Sequence, residues 1–246
     1  PLELLAMYMN INFGKQYNLG QIQEAISTCV LDLYHKKPWG YTLFYYIAAS
    51  NRCHPDYVSF LMNKRTLSVT SVNEILQRIP EEKKLGKDMK MIEALYKEYQ
   101  NKECDDKEAL AQLAAKLDGK KVLLLGPGRN AAREADRIRA LISEEKPAVI
   151  AINYIPKTLK PDALFLTNSH RYLQMSSQLT KPENQELPII ATSNITEAER
   201  PFTYVVNCSN LIDEEAEFMD NSMMMLIRLL EKIGVKKVEL AGFDGY

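Results

Sequence analysis

The sequence predicts an α/β protein in which a helical module is followed by a doubly wound, mainly parallel sheet. Residues 119–246 contain short apolar runs that end in polar residues, a pattern typical of buried parallel strands. Residues 1–85 instead carry apolar residues at intervals of three and four, which indicates short helices. Residues 86–118 are highly charged, and we expect a helical linker there.

A strand, a glycine turn and a helix follow one another at residues 122–141. The apolar run 122–125 leads into Gly126-Pro127-Gly128-Arg129-Asn130, and an Ala- and Arg-rich run follows. Glycine lets the backbone approach a ligand closely, and the first N–H groups of the helix would face an anion at this turn. The turn therefore predicts a phosphate site, although a plain strand-to-helix connection also uses glycine. Because a third glycine and a Lys-Ser/Thr pair are absent, it is neither a dinucleotide fingerprint nor a Walker loop.

Three more apolar runs end in polar residues. The runs 148–152, 163–166 and 237–241 lead to Asn153, Asn168 and Asp244. Because the carboxyl ends of parallel strands form the ligand crevice of an open sheet, we expect these side chains to gather around the Gly126 turn. In the alternative interpretation they only cap helices or make turns.

The composition is that of an ordinary globular protein, with 46% of its 246 residues hydrophobic and 26% charged. The 31 basic and 32 acidic residues give a formal net charge of -1, so neither nucleic acid nor a membrane is an expected partner. Without a spanning apolar run or a signal pattern, we expect a cytoplasmic protein. The chain begins at Pro1 rather than Met and stops just after an apolar run, so we expect a fragment of a longer protein.

The first part of the chain resembles a known family over residues 1–85. Residues 39–46 (WGYTLFYY) and 51–57 (NRCHPDY) are similar to the helices after the catalytic TIM barrel in metal-dependent aldolases such as 4-hydroxy-2-oxovalerate aldolase and HMG-CoA lyase. The resemblance implies a parent carbon–carbon lyase whose barrel holds a divalent metal through Asp and a His-x-His pair. Those elements are absent from this sequence, where three histidines stand apart, so we expect no metal, no cofactor and no catalysis from this chain alone.

The same resemblance singles out one tyrosine. Gly40-Tyr41 matches a Gly-Tyr pair that, in the bacterial oxovalerate aldolases, places a hydroxyl near the substrate as an acid or base. Tyr41 is therefore the catalytic candidate, acting on a barrel that this chain lacks. The alternative is a packing aromatic, since aromatic residues at helical spacing usually fill a core or an interface.

The second part resembles a different group over residues 119–246. The segments LLGPG (124–128), AINY (151–154), KPDALFLTN (160–168) and GVKKVELAGFD (234–244) are similar, in order, to the Rossmann-like domain of methanopterin diphosphokinase-like proteins and bacterial sialyltransferases. The resemblance implies nucleotide or nucleotide-sugar phosphates bound by matching positions: Gly126, Gly128, Asn153, Asn168 and Asp244, with Ser222 at a helix start. The relatives usually have Ser after the turn, where this chain has Arg129-Asn130. Arg129 is either a phosphate clamp or a solvated charge.

These observations favour the C-terminal region of an aldolase-like protein that carries a nucleotide- or phosphate-binding domain. A freestanding transferase with a nucleotide-activated donor and a non-catalytic dimerisation or docking module are the alternatives. Five aromatic residues in a short helical unit also predict exposed apolar surface: Trp39, Tyr41, Phe44, Tyr45 and Tyr46. We therefore expect a homo-oligomer, or docking to a TIM barrel.

Overall fold

The computed structural model describes residues 2–36, 42–195, 201–212 and 221–244. Within these ranges the chain begins with helices and continues as alternating strands and helices around one sheet. The first helices are α1 (Leu2–Phe13), α2 (Leu19–Ala25), α3 (Leu31–Lys36), α4 (Leu43–Ser50), α5 (Pro55–Asn63), α6 (Val69–Gln77) and α7 (Met89–Gln100). A π-helical turn, Ile26–Val30, joins α2 to α3, and a 3-10 turn, Glu81–Lys83, lies between α6 and α7.

Helices α4 to α7 enclose a core of their own, built around the fully buried side chains of Tyr57, Leu61 and Ile75. Helices α1 to α3 do not share this core. Ala6 is their one buried side chain among the described residues. The helical region is therefore well packed from α4 onward and mostly exposed before it.

The charged segment 86–118 contains two helices that pack on different cores. Helix α7 buries Ile92 and Tyr99 in the core of α4 to α7, whereas α8 (Lys107–Leu117) buries Leu113 and Leu117 against the sheet. The charges occupy only the solvent-facing side of each helix. The helical unit thus extends through α7, and the connection that remains before α8 is residues 101–106.

The sheet has six strands, all parallel, which confirms the predicted α/β class. They are β1 (Val122–Leu125), β2 (Ala148–Ile152), β3 (Ala163–Leu166), β4 (Ile189–Thr192), β5 (Tyr204–Val206) and β6 (Val238–Ala241), in the order β5-β4-β3-β2-β1-β6. Every residue of β1 to β4 is buried, because helices cover both faces.

The remaining helices lie on opposite faces of the sheet. They are α9 (Arg129–Arg133), α10 (Ala135–Glu145), α11 (Ser169–Leu179) and α12 (Ser222–Lys232), with 3-10 turns at Pro182–Asn184 and Ser209–Leu211. Helices α8 and α12 share the core of one face, and α10 and α11 share the other. The chain passes from β1 to β2 through α10, but it reaches β6, on the other side of β1, through α12. The topological switch point, where a doubly wound sheet opens into a crevice, therefore lies between β1 and β6.

The helical module contacts the sheet domain at the carboxyl ends of β3 and β4. Ser71 Oγ donates to Ser169 Oγ over 3.3 Å, and Asn194 Nδ2 donates to Gln100 Oε1 over 2.7 Å. These contacts lie at the β3 and β4 half of the carboxyl edge. No helix in the described ranges has the length and apolar character needed to cross a membrane.

Candidate functional site

The glycine turn after β1 packs directly against the turn after β6. Gly126 N donates to Ala241 O and Gly128 N to Gly242 O, both over 2.8 Å. A Cβ at Gly126 would lie 2.4 Å from the Gly242 oxygen, and one at Gly128 would lie 2.5 Å from the same atom. Gly242 itself has a φ of +76°, which favours glycine. The glycines are therefore required for the contact between these two turns.

A carboxylate of the chain itself occupies the start of the helix after this turn. Both oxygens of Asp244 accept from Asn130 N, at 3.3 and 3.4 Å. The helix is also short, because α9 ends at Arg133. Arg129 is exposed, and its guanidinium has no partner among the described residues. The turn and the helix N–H group of the predicted anion site are thus present, but the N–H group of Asn130 is bonded to the carboxylate of Asp244.

A polar cluster links the ends of β2 and β3 with the start of α12. Asn153 Nδ2 donates to Ser222 Oγ over 2.7 Å and to Thr167 Oγ1 over 3.3 Å, while Thr167 N donates to Asn153 Oδ1 over 3.2 Å. The two hydroxyl oxygens are 2.6 Å apart. Asn153 has a φ of +56°, a left-handed conformation that asparagine tolerates better than most residues. The predicted residues Asn153 and Ser222 therefore lie together.

A cleft of ≈ 500 Å³ lies between this cluster and the glycine turn, and we call it the central cleft. Its walls come from the β1 turn, the end of β2, the first turns of α11 and α12, and the β6 turn. The lining residues are Pro127, Gly128, Ile152, Asn153, Tyr154, Arg171, Asn221, Ser222, Met223, Gly242 and Phe243. Its volume is in the range of small-molecule sites.

Several residues of the central cleft were not predicted from the sequence. Arg171 lines the cleft from the first turn of α11, where its Nη1 donates to Gln174 Oε1 over 3.1 Å, and Phe243 lines it from the β6 turn. Thr167 adds a buried hydroxyl to the polar cluster. Thr167 directly follows β3. The pattern that predicts a site residue at Asn168, a polar side chain at the carboxyl end of a strand, therefore also applies to Thr167.

Asn168 has a different position from the other predicted residues. Its side chain caps α11, where Oδ1 accepts from Arg171 N over 2.8 Å, and it does not line the central cleft. The helix-cap alternative therefore describes Asn168 well. By fixing the first turn of α11, the cap also positions Arg171.

Two buried groups near the sheet have raised pKa values. Burial raises the pKa of the Tyr154 phenol to about 12, and the Tyr154 hydroxyl has no hydrogen-bond partner among the described residues. Burial also raises the pKa of the Cys208 thiol to about 11. Both groups are therefore protonated at neutral pH, and neither is an anionic nucleophile there.

The catalytic candidate Tyr41 lies outside the described residues, as do Trp39 and Gly40. Among the described residues, no group of three or more His, Cys, Asp or Glu side chains is placed to hold a metal ion. The free thiols of Cys29, Cys53, Cys104 and Cys208 are unpaired with one another.

A second cleft, of ≈ 650 Å³, lies on the outer side of the switch point. It is lined by α9, α10 and β6, including Asn130, Glu134, Arg137 and Asp244. The arginine in its lining is paired with a carboxylate, since Arg137 Nη1 lies 3.1 Å from Glu134 Oε2. The central cleft instead holds an arginine without a carboxylate partner among the described residues.

Comparisons with family models, with curated proteins and with solved structures found no match to this chain.

Proposed function

We propose that the sheet domain binds a phosphorylated small molecule, of the nucleotide class, in the central cleft. The observation that carries this proposal is the position of the cleft at the topological switch point, with a glycine turn, a hydroxyl and amide cluster and one arginine in its walls. Open parallel sheets bind their ligands at this place. The resemblance of residues 119–246 to nucleotide-dependent enzymes supports the same ligand class.

The two sides of the central cleft suit the two parts of a nucleotide. Arg171 and Ser222 offer donors for phosphoryl oxygens, and arginine is well suited to bidentate phosphate contacts. Phe243, Ile152 and Met223 offer apolar surface for a base. Asp244, at the end of the β6 turn, lines the second cleft instead and accepts from Asn130 N. The phosphates then lie on the α11 and α12 side, away from the carboxylate at α9.

Calorimetry of the purified chain against nucleoside mono-, di- and triphosphates and nucleotide sugars tests the proposal. We expect at least one member of this panel to bind below the millimolar range. Arg171→Gln should weaken that binding about 10-fold, the typical cost of a charge-assisted contact. Arg133→Gln, which removes an exposed arginine outside the cleft, is the matched control and should bind like the parent.

Two results distinguish the alternatives. Preferential binding of a nucleotide sugar would favour a transferase with an activated donor. If no member of the panel binds below the millimolar range, the ligand-binding proposal is wrong and the assembly proposal below becomes the main one.

We propose, as a second function, that α1 to α3 form an assembly surface for a second copy of this chain. Between residues 2 and 36, eleven large apolar side chains are at least 39% exposed: Leu2, Leu4, Leu5, Met7, Tyr8, Ile11, Phe13, Tyr17, Leu31, Leu33 and Tyr34. At roughly 150–250 Å² for each fully exposed large side chain, they present on the order of 1,000 Å². A stable interface needs about 800 Å² per partner.

The sequence of α1 favours a protein partner over a membrane surface. Helix α1 is apolar on all sides, with Glu3 as its one charged residue, whereas membrane-surface helices carry a basic face. On α4, Phe44, Tyr45 and Tyr46 are 36, 46 and 58% exposed, so three of the five aromatic residues predicted to be exposed are so. The other two, Trp39 and Tyr41, lie outside the described residues.

Sedimentation at increasing concentration tests the assembly proposal. We expect the parent to self-associate and Ile11→Glu, at a side chain that is 72% exposed, to be monomeric. Leu85→Glu is the control, since Leu85 is 78% exposed but lies outside α1 to α3. A parent that stays monomeric at high concentration contradicts the proposal, and binding to a separate aldolase barrel instead would assign the surface to that partner.

A further inference from the structure

We infer that Ser222 directs its hydroxyl proton into the central cleft and selects a ligand oxygen that only accepts hydrogen bonds, such as a phosphoryl oxygen. The inference rests on the ligand site proposed above and names the residue that sets its specificity. Its basis is the assignment of a donor and an acceptor to each hydrogen bond among Asn153, Thr167 and Ser222.

The orientation of the Asn153 amide is fixed by a backbone donor. Thr167 N is a donor only, so the Asn153 atom that lies 3.2 Å from it must be the carbonyl oxygen Oδ1. The amide nitrogen Nδ2 then faces the two hydroxyl groups and donates to Ser222 Oγ over 2.7 Å and to Thr167 Oγ1 over 3.3 Å. Asn153 therefore acts as a positioning residue.

The direction of the bond between the two hydroxyls follows from burial. Thr167 is 8% exposed, and its Oγ1 contacts only Asn153 Nδ2 and Ser222 Oγ among the described residues. If Ser222 were the donor, Thr167 would accept twice and its own proton would be buried without an acceptor, which is costly. If Thr167 donates to Ser222, every group of Thr167 is satisfied. The hydrogen bond therefore runs from Thr167 to Ser222.

Ser222 is left with one unused proton and no unused lone pair. Its Oγ accepts from Asn153 Nδ2 over 2.7 Å and from Thr167 over 2.6 Å, which uses both acceptor positions of a hydroxyl. Ser222 is half-buried and lines the central cleft, so the proton has its acceptor in the ligand. Arg171 lines the same cleft and is also a donor only. The two together favour a fully ionised oxyanion.

Binding of inorganic pyrophosphate, measured by calorimetry, tests the role of the hydroxyl. Ser222→Ala should weaken pyrophosphate binding about 10- to 100-fold, as expected for loss of a hydrogen bond to a charged group. Ser222→Thr keeps the hydroxyl and should bind within about threefold of the parent. Ser177→Ala, on the exposed side of α11, is the control and should bind unchanged. Equal binding by Ser222→Ala and the parent would overturn the inference.

Competition between sulfate and hydrogen phosphate for the pyrophosphate site tests the proton direction. A site of donors only should bind sulfate at least as tightly as hydrogen phosphate, because the phosphate proton finds no acceptor there. Thr167→Val frees a lone pair on Ser222, so this variant should come to prefer hydrogen phosphate, which has a proton to give. A purely structural role of Thr167 would not change this ratio. A parent that already prefers hydrogen phosphate by about 10-fold or more contradicts the inference.

The two calorimetric experiments distinguish a wrong role of Ser222 from a wrong ligand site. If the parent binds a nucleotide of the panel but not pyrophosphate, the inference is wrong and the ligand proposal stands. If it binds neither, both are wrong.

Discussion

Asp244 caps the helix that follows the glycine turn, with its carboxylate oxygens 3.3 and 3.4 Å from Asn130 N. The two residues come from neighbouring strand ends at the switch point, 114 positions apart in the chain. An acceptor at a helix start stabilises the unpaired N–H groups, and a negative charge there adds a favourable interaction with the helix dipole. This contact gives the β1 turn a structural role. We therefore place the proposed ligand in the central cleft, on the side of the turn away from Asp244.

We predict that Gly128→Ala destabilises the fold, whereas Gly20→Ala does not. A Cβ at Gly128 would lie 2.0 Å from Asp244 Oδ1 and 2.5 Å from Gly242 O, so the β6 turn must move. We expect a loss of about 1–3 kcal/mol in the free energy of unfolding. In α2, a Cβ at Gly20 meets only Asn18 Oδ1 at 3.4 Å, and alanine should be neutral or stabilise by about 0.5–1 kcal/mol. Urea unfolding of both variants measures the difference, and equal stabilities would contradict the packing role of Gly128.

We predict that Asn153→Gly is more stable than Asn153→Ala by about 1 kcal/mol. Both variants lose the side-chain contacts to Thr167 and Ser222, so those contacts cancel in the comparison. What differs is the backbone, because the φ of +56° is strained for alanine but not for glycine. The comparison is made by thermal unfolding at equal protein concentration. A more stable alanine variant would mean that the backbone leaves the left-handed region when the amide is removed.

Strands and the site residues at their ends could be predicted because one local pattern, an apolar run that ends in polar residues, indicates both. β1, β2 and β3 occur at the predicted runs, since continuous apolar stretches of four or five residues bounded by turn residues have few other uses in an α/β protein. β4 and β5 were not predicted. β4 is a run of four residues directly after Pro188, and β5 has three residues and lies at the sheet edge, where the requirement for apolar residues is weaker. Its position depends on pairing with β4, a contact between distant residues.

The helix caps and cleft residues that could not be predicted depend on contacts between residues far apart in the sequence. Ser71 and Glu74 have the spacing of a capping box, yet Ser68 caps α6, and the Ser71 hydroxyl contacts Ser68 and Ser169 instead. Likewise, nothing near Asn130 in the sequence indicates that Asp244 will cap its helix. Arg171 was missed because its role depends on α11 starting beside the cleft, and exposed arginines are common on helices.

We predict that this chain alone does not cleave 4-hydroxy-2-oxo acids. We expect this because lyases of the family suggested for residues 1–85 hold their metal through a His-x-His pair, which this sequence lacks. Pyruvate release by the purified chain should stay at the level of a protein-free blank with added Mg²⁺ or Mn²⁺. Metal-dependent release that Tyr41→Phe abolishes would show instead that the chain is a lyase in its own right.

We predict opposite effects of removing two tyrosine hydroxyls. Tyr57 is fully buried, and its hydroxyl donates to Lys83 O over 3.2 Å and accepts from Asp88 N over 2.8 Å, so Tyr57→Phe should cost about 1–3 kcal/mol of stability. Tyr154 has a buried hydroxyl without a partner among the described residues, so Tyr154→Phe should be neutral or stabilising at pH 7.

The pH dependence provides a second measurement on the Tyr154 variant. Because burial raises the Tyr154 pKa from 10.0 to about 12, the unfolded chain loses this proton first, and the folded state binds more protons between those values. The contribution of Tyr154 to stability is therefore complete below pH 10 and is lost as the pH rises toward 12. Tyr154→Phe removes the group that ionises, so urea unfolding measured from pH 9 to pH 11 should show a smaller decline in stability for the variant than for the parent. Equal declines, or a clear loss of stability at pH 7, would mean that the hydroxyl has a partner in the folded protein.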